Sequence, residues 1–243
     1  MTSNINKVKY TKDLKKGLHD GIPIALGYIS VSFTFGLMGT SSGMLWWQTL
    51  LISMTNLTSA GQFAGLEIMV TAGSLIEMAL TQLIINIRYA LMSISLSQKT
   101  DTTFNLPTRL AIGFGVTDEI FAVAVSRNKT VSRYYMAGLL IMPYFGWALG
   151  TAAGAVLGAV IPDYISNALG IAIYGMFMAI IIPQARDNSK YLIIIIIAAI
   201  LSCCFKWIAV LQNVSSGFVI IICAVLASVI GAVLYPVEDE VED

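Results

Sequence analysis

The sequence predicts an all-α, polytopic integral membrane protein with about eight transmembrane helices. Of its 243 residues, 57% are hydrophobic and only 12% are charged, about half the charged share of a typical soluble domain. The charges are also unevenly spread, because residues 21–66, 134–162, 164–185 and 207–237 contain none. Each of these intervals exceeds the roughly 20 residues that a membrane-spanning helix needs. A soluble fold could not cover so much apolar surface, so an ordinary soluble enzyme is excluded.

Prolines and polar turns set the boundaries of the predicted spans. Pro23 opens the first span, Pro107 precedes the fourth, and Pro236 ends the eighth, as expected for residues that interrupt helices. We predict spans at about 22–40, 45–70, 74–97, 109–126, 134–161, 164–184, 191–211 and 216–235.

The distribution of basic residues predicts that both termini are cytoplasmic and that the protein lies in the cell membrane. With the N-terminus inside, only Lys99 and Arg109 lie in outside loops, in agreement with the positive-inside rule. A re-entrant hairpin at 45–70 would move residues 127–133 outside, so we expect a span there. The predicted inside residues are Lys7, Lys9, Lys12, Lys15, Lys16, Arg127, Lys129, Arg133, Arg186 and Lys190.

Three segments follow from these assignments. Residues 1–20 form a basic cytoplasmic segment, in which Tyr10, Leu14 and Leu18 share one helical face and suggest a short interfacial helix. Residues 21–236 form the transmembrane domain, and residues 237–243 form an acidic cytoplasmic tail.

Three ionisable residues fall inside predicted spans, where charge is costly and therefore indicates function by default. Arg88 lies in the third span, and Asp118 and Glu119 lie in the fourth. Because consecutive spans are antiparallel, Arg88 can pair with one of these carboxylates. Adjacent helical residues point about 100° apart, so the other carboxylate faces elsewhere. The pair either handles substrate or protons, or it only fixes the docking of two helices.

The second predicted span contains polar and small residues that favour a broken helix. Asn56, Ser59, Gly61 and Gln62 lie close together at membrane depth, where interrupted helices occur only beside protein or a water-filled cavity. A half-helix that begins near Ser59 would direct its positive dipole end at an anion such as an amino-acid carboxylate. The alternative is a continuous helix with small residues at a packing seam. Residues 113–115 give the fourth span a weaker signal of the same kind.

Other patterns indicate packing or polar surfaces. Gln82, Asn86, Tyr89 and Ser93 form a stripe that either lines a wet path or bonds a neighbouring helix. Glu67 and Glu77 flank a short turn, where we expect either interfacial solvation or a gate. A ridge of glycines at every fourth residue in the fifth span predicts close helix packing, and comprises Gly146, Gly150, Gly154 and Gly158.

Of the catalytic motifs, only G-x-S-x-G has a match, at Gly39-Thr40-Ser41-Ser42-Gly43. This match is accidental, because the segment follows a predicted transmembrane span, whereas the motif requires a strand before it. The sequence contains no other catalytic or cofactor motif. It has no H-E-x-x-H, no Walker A loop and no Rossmann fingerprint, and one histidine with three cysteines in apolar runs makes no metal cluster. Zero net charge gives no general attraction for nucleic acid. We therefore predict a protein that is not an enzyme and that uses no cofactor or metal.

Four motifs, in order, resemble the AzlC family, the large subunit of branched-chain amino acid permeases and exporters, over roughly residues 17–235. Ser30 departs from this pattern, because the family has proline after Gly-Tyr-Ile. The motifs are Gly21-Ile22-Pro23-Ile24 with Gly27-Tyr28-Ile29 and Phe35-Gly36, Ser59-Ala60-Gly61-Gln62-Phe63-Ala64, Asn86-Ile87-Arg88-Tyr89-Ala90-Leu91-Met92-Ser93, and Thr117-Asp118-Glu119-Ile120-Phe121.

The resemblance implies a secondary transporter that exports branched-chain and related hydrophobic amino acids: valine, leucine, isoleucine and methionine. It also implies a small multispanning partner subunit of the AzlD type. Combined with the residue analysis, it suggests that Ser59, Ala60 and Gly61 bind the substrate carboxylate. Gln62 assists them, and Asn56 and Asn86 add polar contacts. Asp118 or Glu119 receives the ammonium group or a coupled proton, and Arg88 holds or competes for that carboxylate. Phe33, Phe35 and Phe63 either enclose the aliphatic side chain or pack the core.

Two other functions share these sequence features. A passive small-solute channel would have the same apolar composition. A non-transporting assembly subunit would use the charged residues only for structure. An intramembrane enzyme is a more distant third possibility.

Overall fold

The computed structural model describes residues 2–158, residues 188–236 and five positions between them (178, 181, 182, 185 and 186). Helices dominate the described part of the chain, which contains no β-strand, and this confirms the predicted all-α class. The predicted sixth span at 164–184 falls mostly outside the described residues, and the acidic tail at 237–243 falls wholly outside them.

Nine α-helices are described, and five of them are long and apolar enough to cross a membrane: α1 from Tyr10 onward, α4, α7, α8 and α9. The chain forms two compact units, Met1–Phe63 with Asn86–Ile173, and Ala64–Ile85 with Tyr174–Asp243. The helices are α1 (Thr2–Ser41), α2 (Trp46–Thr55), α3 (Ser59–Val70), α4 (Leu75–Gln98), α5 (Leu106–Phe114), α6 (Asp118–Val125), α7 (Arg133–Leu157), α8 (Ser189–Trp207) and α9 (Ser216–Leu234).

The first unit is built on α1 and α7, which pack in parallel through glycines. A Cβ atom at Gly146 would lie only 2.8 Å from the Ala25 carbonyl oxygen, so the two backbones approach as closely as small residues permit. The predicted glycine ridge is thereby confirmed as a packing surface. Its partners advance along both helices in the same direction: Gly138 lies against Gly17, Gly146 against Ala25, Gly150 against Ile29 and Gly154 against Phe33.

The N-terminal part of α1 differs from the prediction. Helix α1 is continuous from Thr2 to Ser41, so no separate interfacial helix precedes the first span. The ring of Tyr10 stacks on Tyr134 at 4.3 Å between centroids, and Ser132 donates a hydrogen bond to Asp13 over 2.6 Å. This face of α1 therefore packs on the start of α7. The cytoplasmic location of residues 1–20 stays a prediction.

Helices α5 and α6 form a hairpin whose two ends lie side by side. The backbone N–H of Asp101 donates to the Val131 carbonyl over 3.0 Å, and the N–H of Val131 donates to the Lys99 carbonyl over 2.9 Å. The Lys99 ammonium also bonds the Val125 carbonyl. The connections before α5 and after α6 are thus joined, and the chain reverses at residues 115–117.

Helices α2 and α3 reverse in the same way at residues 56–58. Ser53 on α2 bonds Thr151, beside Gly36 of α1. Leu57 packs against Tyr28, about two helical turns back along α1. Phe63 on α3 then returns to the level of Phe35, with ring centroids 5.4 Å apart. The chain thus approaches the middle of α1 along α2 and turns back along the first turn of α3.

The two hairpins correct the prediction of about eight transmembrane helices. The eight-span assignment places residues 99–105 and 127–133 on opposite faces, whereas their backbones are hydrogen-bonded to each other. It also places the turn before α4 and the start of α9 on opposite faces of the membrane. In the structure, however, the Gly217 N–H at the start of α9 donates to Glu77 in the first turn of α4 over 2.9 Å. Segments 45–70 and 109–126 are therefore hairpins of half-helices, since apolar length alone does not distinguish two short helices from one span.

The second unit contains a buried acidic residue that the sequence did not predict. Glu77 is only 3% exposed, and its carboxylate accepts the Gly217 N–H at the start of α9. A carboxylate is favourable at the positive end of a helix, so Glu77 joins α4 to α9. The expectation of interfacial solvation is therefore wrong for Glu77, while Glu67 on α3 is exposed.

The α5–α6 hairpin predicts which loops share a membrane face. In a chain whose native cysteines are replaced by alanine, Thr102→Cys and Asn128→Cys should react with a membrane-impermeant thiol reagent from one side. Ser42→Cys, at the other end of α1, should react from the opposite side. Labelling of Thr102→Cys and Asn128→Cys from opposite sides would restore the span at 109–126 and contradict the hairpin.

Candidate functional site

The tips of the two hairpins lie beside the same residue, Tyr28, in the middle of α1. The first tip is residues 56–58, between α2 and α3, and the second tip is residues 115–117, between α5 and α6. Leu57, in the first tip, packs against the rings of Tyr28 and Trp147, which meet edge to face at 5.1 Å. The Tyr28 hydroxyl lies 2.6 Å from the Thr117 hydroxyl in the second tip. The chain thus brings two helix interruptions together in the interior of the first unit.

The first tip is held by Gln62, which is only 1% exposed. Its side-chain oxygen accepts hydrogen bonds from the Trp147 indole over 3.1 Å and from Ser53 over 3.2 Å. Its amide nitrogen donates to the Asn56 carbonyl. Gln62 therefore supplies polar partners at the point where the α2 helix has ended. Its predicted contact with substrate stays a prediction.

Helix α3 begins at Ser59, where the sequence placed the start of a half-helix. Ser59, Ala60 and Gly61 form its first turn, and the Asn56 side chain just before them accepts a hydrogen bond from Thr58 over 3.0 Å. The positive end of the α3 dipole is thus directed at the tip, which favours a negatively charged group there. The binding of a carboxylate by Ser59, Ala60 and Gly61 stays a prediction.

The second tip carries the acidic residues. Thr117 caps α6 by accepting from the Ile120 N–H, and Asp118 and Glu119 occupy the first turn. Carboxylates in this position are stabilised by the helix dipole. The break at residues 115–117 agrees with the weaker signal from the glycines of the fourth predicted span.

The two carboxylates have different partners, as the 100° separation of adjacent helical residues predicted. Asp118 forms an ion pair with Arg88 at 3.0 Å, and Glu119 accepts a hydrogen bond from Tyr28 over 2.7 Å. The Arg88 guanidinium also donates to the Tyr89 hydroxyl over 3.2 Å. The side chains of Arg88 and Asp118 are 43% and 37% exposed, so protein covers this pair incompletely.

Several residues of the site escaped the sequence analysis. Ser53 and Thr151 bond each other at 2.8 Å and are fully buried, and Trp147 donates to Gln62. Polar residues in otherwise apolar helices were the available signal, because buried hydroxyls need partners. Asn86 lies two residues before Arg88 on α4, and Gln82, from the same predicted stripe, belongs to the second unit.

The chain is similar to several membrane proteins. A family model described as AzlC protein matches residues 23–161. An uncharacterized membrane protein of Archaeoglobus fulgidus is 31% identical over 176 residues, which cover 72% of this chain and 77% of that protein. The inner membrane protein YgaZ of Escherichia coli is 28% identical over 182 residues, covering 72% and 74%. An uncharacterized membrane protein of Helicobacter pylori is 22% identical over 186 residues, covering 75% and 80%. No solved structure matches significantly.

The bonds of Gln62 predict that its replacement destabilises the first unit. Gln62→Leu leaves the Trp147 indole N–H and the Asn56 carbonyl without this partner, at a cost of about 1–3 kcal/mol for each buried polar group left unsatisfied. We expect a lower thermal unfolding midpoint for Gln62→Leu in detergent. Gln98→Leu, at the exposed end of α4, is the matched control and should unfold like the wild type. Equal midpoints for both variants would contradict the role given to Gln62.

Proposed function

The chain belongs to the AzlC family, and on that premise we propose that it is a secondary transporter for hydrophobic amino acids. Its substrates are valine, leucine, isoleucine and methionine, and it exports them together with a small AzlD-type membrane subunit. The observation that carries the proposal is the meeting of two helix interruptions beside intramembrane charges. Interrupted helices at membrane depth are the usual construction of substrate sites in secondary transporters.

The first tip supplies the binding position for the substrate carboxylate. The first turn of α3, at Ser59, Ala60 and Gly61, presents the positive end of a helix dipole. Gln62 and Asn56 fix the direction of that end through their hydrogen bonds. Asn86 adds a polar contact from α4. The carboxylate thus replaces water at a helix terminus and needs no cationic side chain.

The second tip provides for the ammonium group. Arg88 neutralises Asp118, whereas Glu119 is held by the Tyr28 hydroxyl and has no cationic partner among the described residues. Glu119 is therefore the better partner for the substrate ammonium, and the Arg88–Asp118 pair keeps the net charge of the site balanced. A proton that binds either carboxylate could couple transport to the proton gradient.

The apolar side chains near the tips explain why the proposed substrates are several aliphatic amino acids rather than one. Leu57 borders the meeting point of the tips, and Phe35 and Phe63 form an edge-to-face pair about two helical turns further along α1. Apolar surfaces discriminate only weakly among aliphatic side chains that differ by a methylene group. Such a site accepts valine, leucine, isoleucine and methionine, and it rejects charged side chains because of their desolvation cost.

The hairpins also revise the proposed membrane topology. If residues 45–70 and 109–126 return to the face from which they enter, Lys99 and Arg109 move to the side that already holds the basic N-terminus. The positive-inside rule then favours cytoplasmic termini in the cell membrane more strongly than before. The proposed crossings are α1, α4, α7, the apolar segment at 164–184, α8 and α9, together with two re-entrant hairpins.

Efflux from cells tests the proposed activity. Cells that lack their own exporters are loaded with dipeptides, and release of labelled valine, leucine and methionine is measured with this chain, the small partner, or both. Faster, saturable efflux only when both chains are present supports a two-component exporter. Non-saturable flux in either direction would identify a passive channel, and full activity of the partner alone would make this chain an assembly subunit.

The two carboxylates are predicted to be essential for transport. Asp118→Asn and Glu119→Gln preserve side-chain size but remove the charge that balances Arg88 or receives the ammonium group, so we expect efflux to fall to background. The exposed Glu67→Gln serves as the control for loss of a carboxylate and should transport normally. Normal efflux by both site variants, at equal amounts in the membrane, would contradict the assignment.

A further inference from the structure

The first unit contains a cavity that the proposed site does not use. Its volume is about 250 Å³, and it lies between the second half of α4, the connection that follows, and α5. Ile94, Leu96, Ile112 and Val116 provide apolar walls, and Phe104 and Arg109 stand at the connecting segment. The cavity belongs wholly to the first unit.

The polar groups of the cavity are a guanidinium and hydroxyls. Arg109 donates to the Thr100 hydroxyl over 3.3 Å, and its guanidinium carbon lies 5.8 Å from the centre of the Phe104 ring. Ser93 and Ser97 add two further hydroxyls from α4. Arg109 is in the first turn of α5, so the helix dipole adds to the positive potential there. No acidic side chain lines the cavity.

This composition fits one chemical class: a small molecule with a carboxylate at one end and an aliphatic group at the other. A guanidinium binds carboxylates in bidentate geometry, and the apolar walls accept a branched alkyl chain. The cavity is partly open, because Ile94 in its wall is 60% exposed, and its volume of about 250 Å³ has room for a molecule the size of leucine. A drug-sized ligand needs a pocket of about 300 Å³ or more.

The position of the cavity links it to the hairpin tips. Val116 lines its inner end and directly precedes Thr117, which contacts Tyr28. Arg109 stands near the opposite end, beside the joined connections at residues 99–101 and 131. A ligand in the cavity therefore lies between these joined connections and the meeting point of the two tips.

We propose that this cavity is a loading site, where Arg109 captures the carboxylate of an aliphatic amino acid before it reaches the hairpin tips. The inference rests on the proposed transport function and extends it to a second binding position on the same path. A lipid could also place an acyl chain against the apolar walls. The position of the cavity, which ends at Val116 beside the second tip, favours the amino acid, and the experiment separates the two.

Gly113 is a suitable position for a substitution that fills the cavity. It lines the cavity, and no atom lies within 4 Å of the position that its Cβ would take. The first carbon of a leucine side chain at this position therefore meets no protein atom, and Gly113→Leu adds apolar bulk at the cavity wall. Gly27 on α1 has the same open surroundings but is exposed and outside the cavity. Gly27→Leu is thus the matched control.

Uptake of labelled leucine into inside-out vesicles, with the partner subunit present, measures loading from the proposed cytoplasmic side. We expect Gly113→Leu to raise the KM about tenfold or more, because the filled cavity excludes the ligand, while Gly27→Leu keeps the wild-type KM. Arg109→Gln should raise the KM about tenfold through loss of a charge-assisted bond. Arg109→Lys should recover part of the affinity, and Lys129→Gln, an exposed charge, should have no effect.

Each result decides a separate point. Wild-type vesicles that do not transport leucine would refute the proposed function. Wild-type transport with an unchanged KM in Gly113→Leu and Arg109→Gln would overturn the loading site and leave the transporter standing, as expected if lipid fills the cavity. If Gly113→Leu does not reach the membrane, the Arg109 variants and their Lys129→Gln control decide alone.

Discussion

The structure depends on one constraint: backbone groups freed inside a membrane must find partners within the protein, because the hydrocarbon core has no water to offer them. Two helices are interrupted at such a depth, at residues 56–58 and 115–117. Gln62 satisfies the first interruption through the Asn56 carbonyl, and Thr117 caps the helix after the second. The polar residues of the proposed site are thus also those that make the interruptions stable.

The glycine contact of α1 and α7 positions both tips. Because small residues bring the two backbones together, Tyr28 and Trp147 meet edge to face, and Leu57 of the first interruption packs against both. Tyr28 bonds Thr117 and Glu119, while Trp147 bonds Gln62. Each hairpin follows a long helix, and α1 and α4 lead into hairpins of similar length.

The sequence was sufficient to predict the start of a half-helix and an ion pair. It was not sufficient to predict whether a segment crosses the membrane or turns back within it. Polar residues at membrane depth predicted the start of a half-helix at Ser59, and isolated charges predicted the pair of Arg88 with an acidic residue of the next segment. A hairpin of two half-helices and one full span have similar length and composition, so the prediction of eight spans was wrong at 45–70 and 109–126. Only long-range bonds, such as Asp101 with Val131, decide between them. The partners of Gln62 depend on the same long-range packing.

The most direct test of the central claim is protection of the first tip by substrate. In the complex with its small partner, with native cysteines replaced by alanine, the rate of thiol modification of Ala60→Cys is measured with and without saturating leucine. The account predicts that leucine slows modification at Ala60→Cys and leaves Ser42→Cys, at the far end of α1, unaffected. An unchanged rate at Ala60→Cys in a complex that still transports leucine would show that substrate does not bind where the half-helices meet.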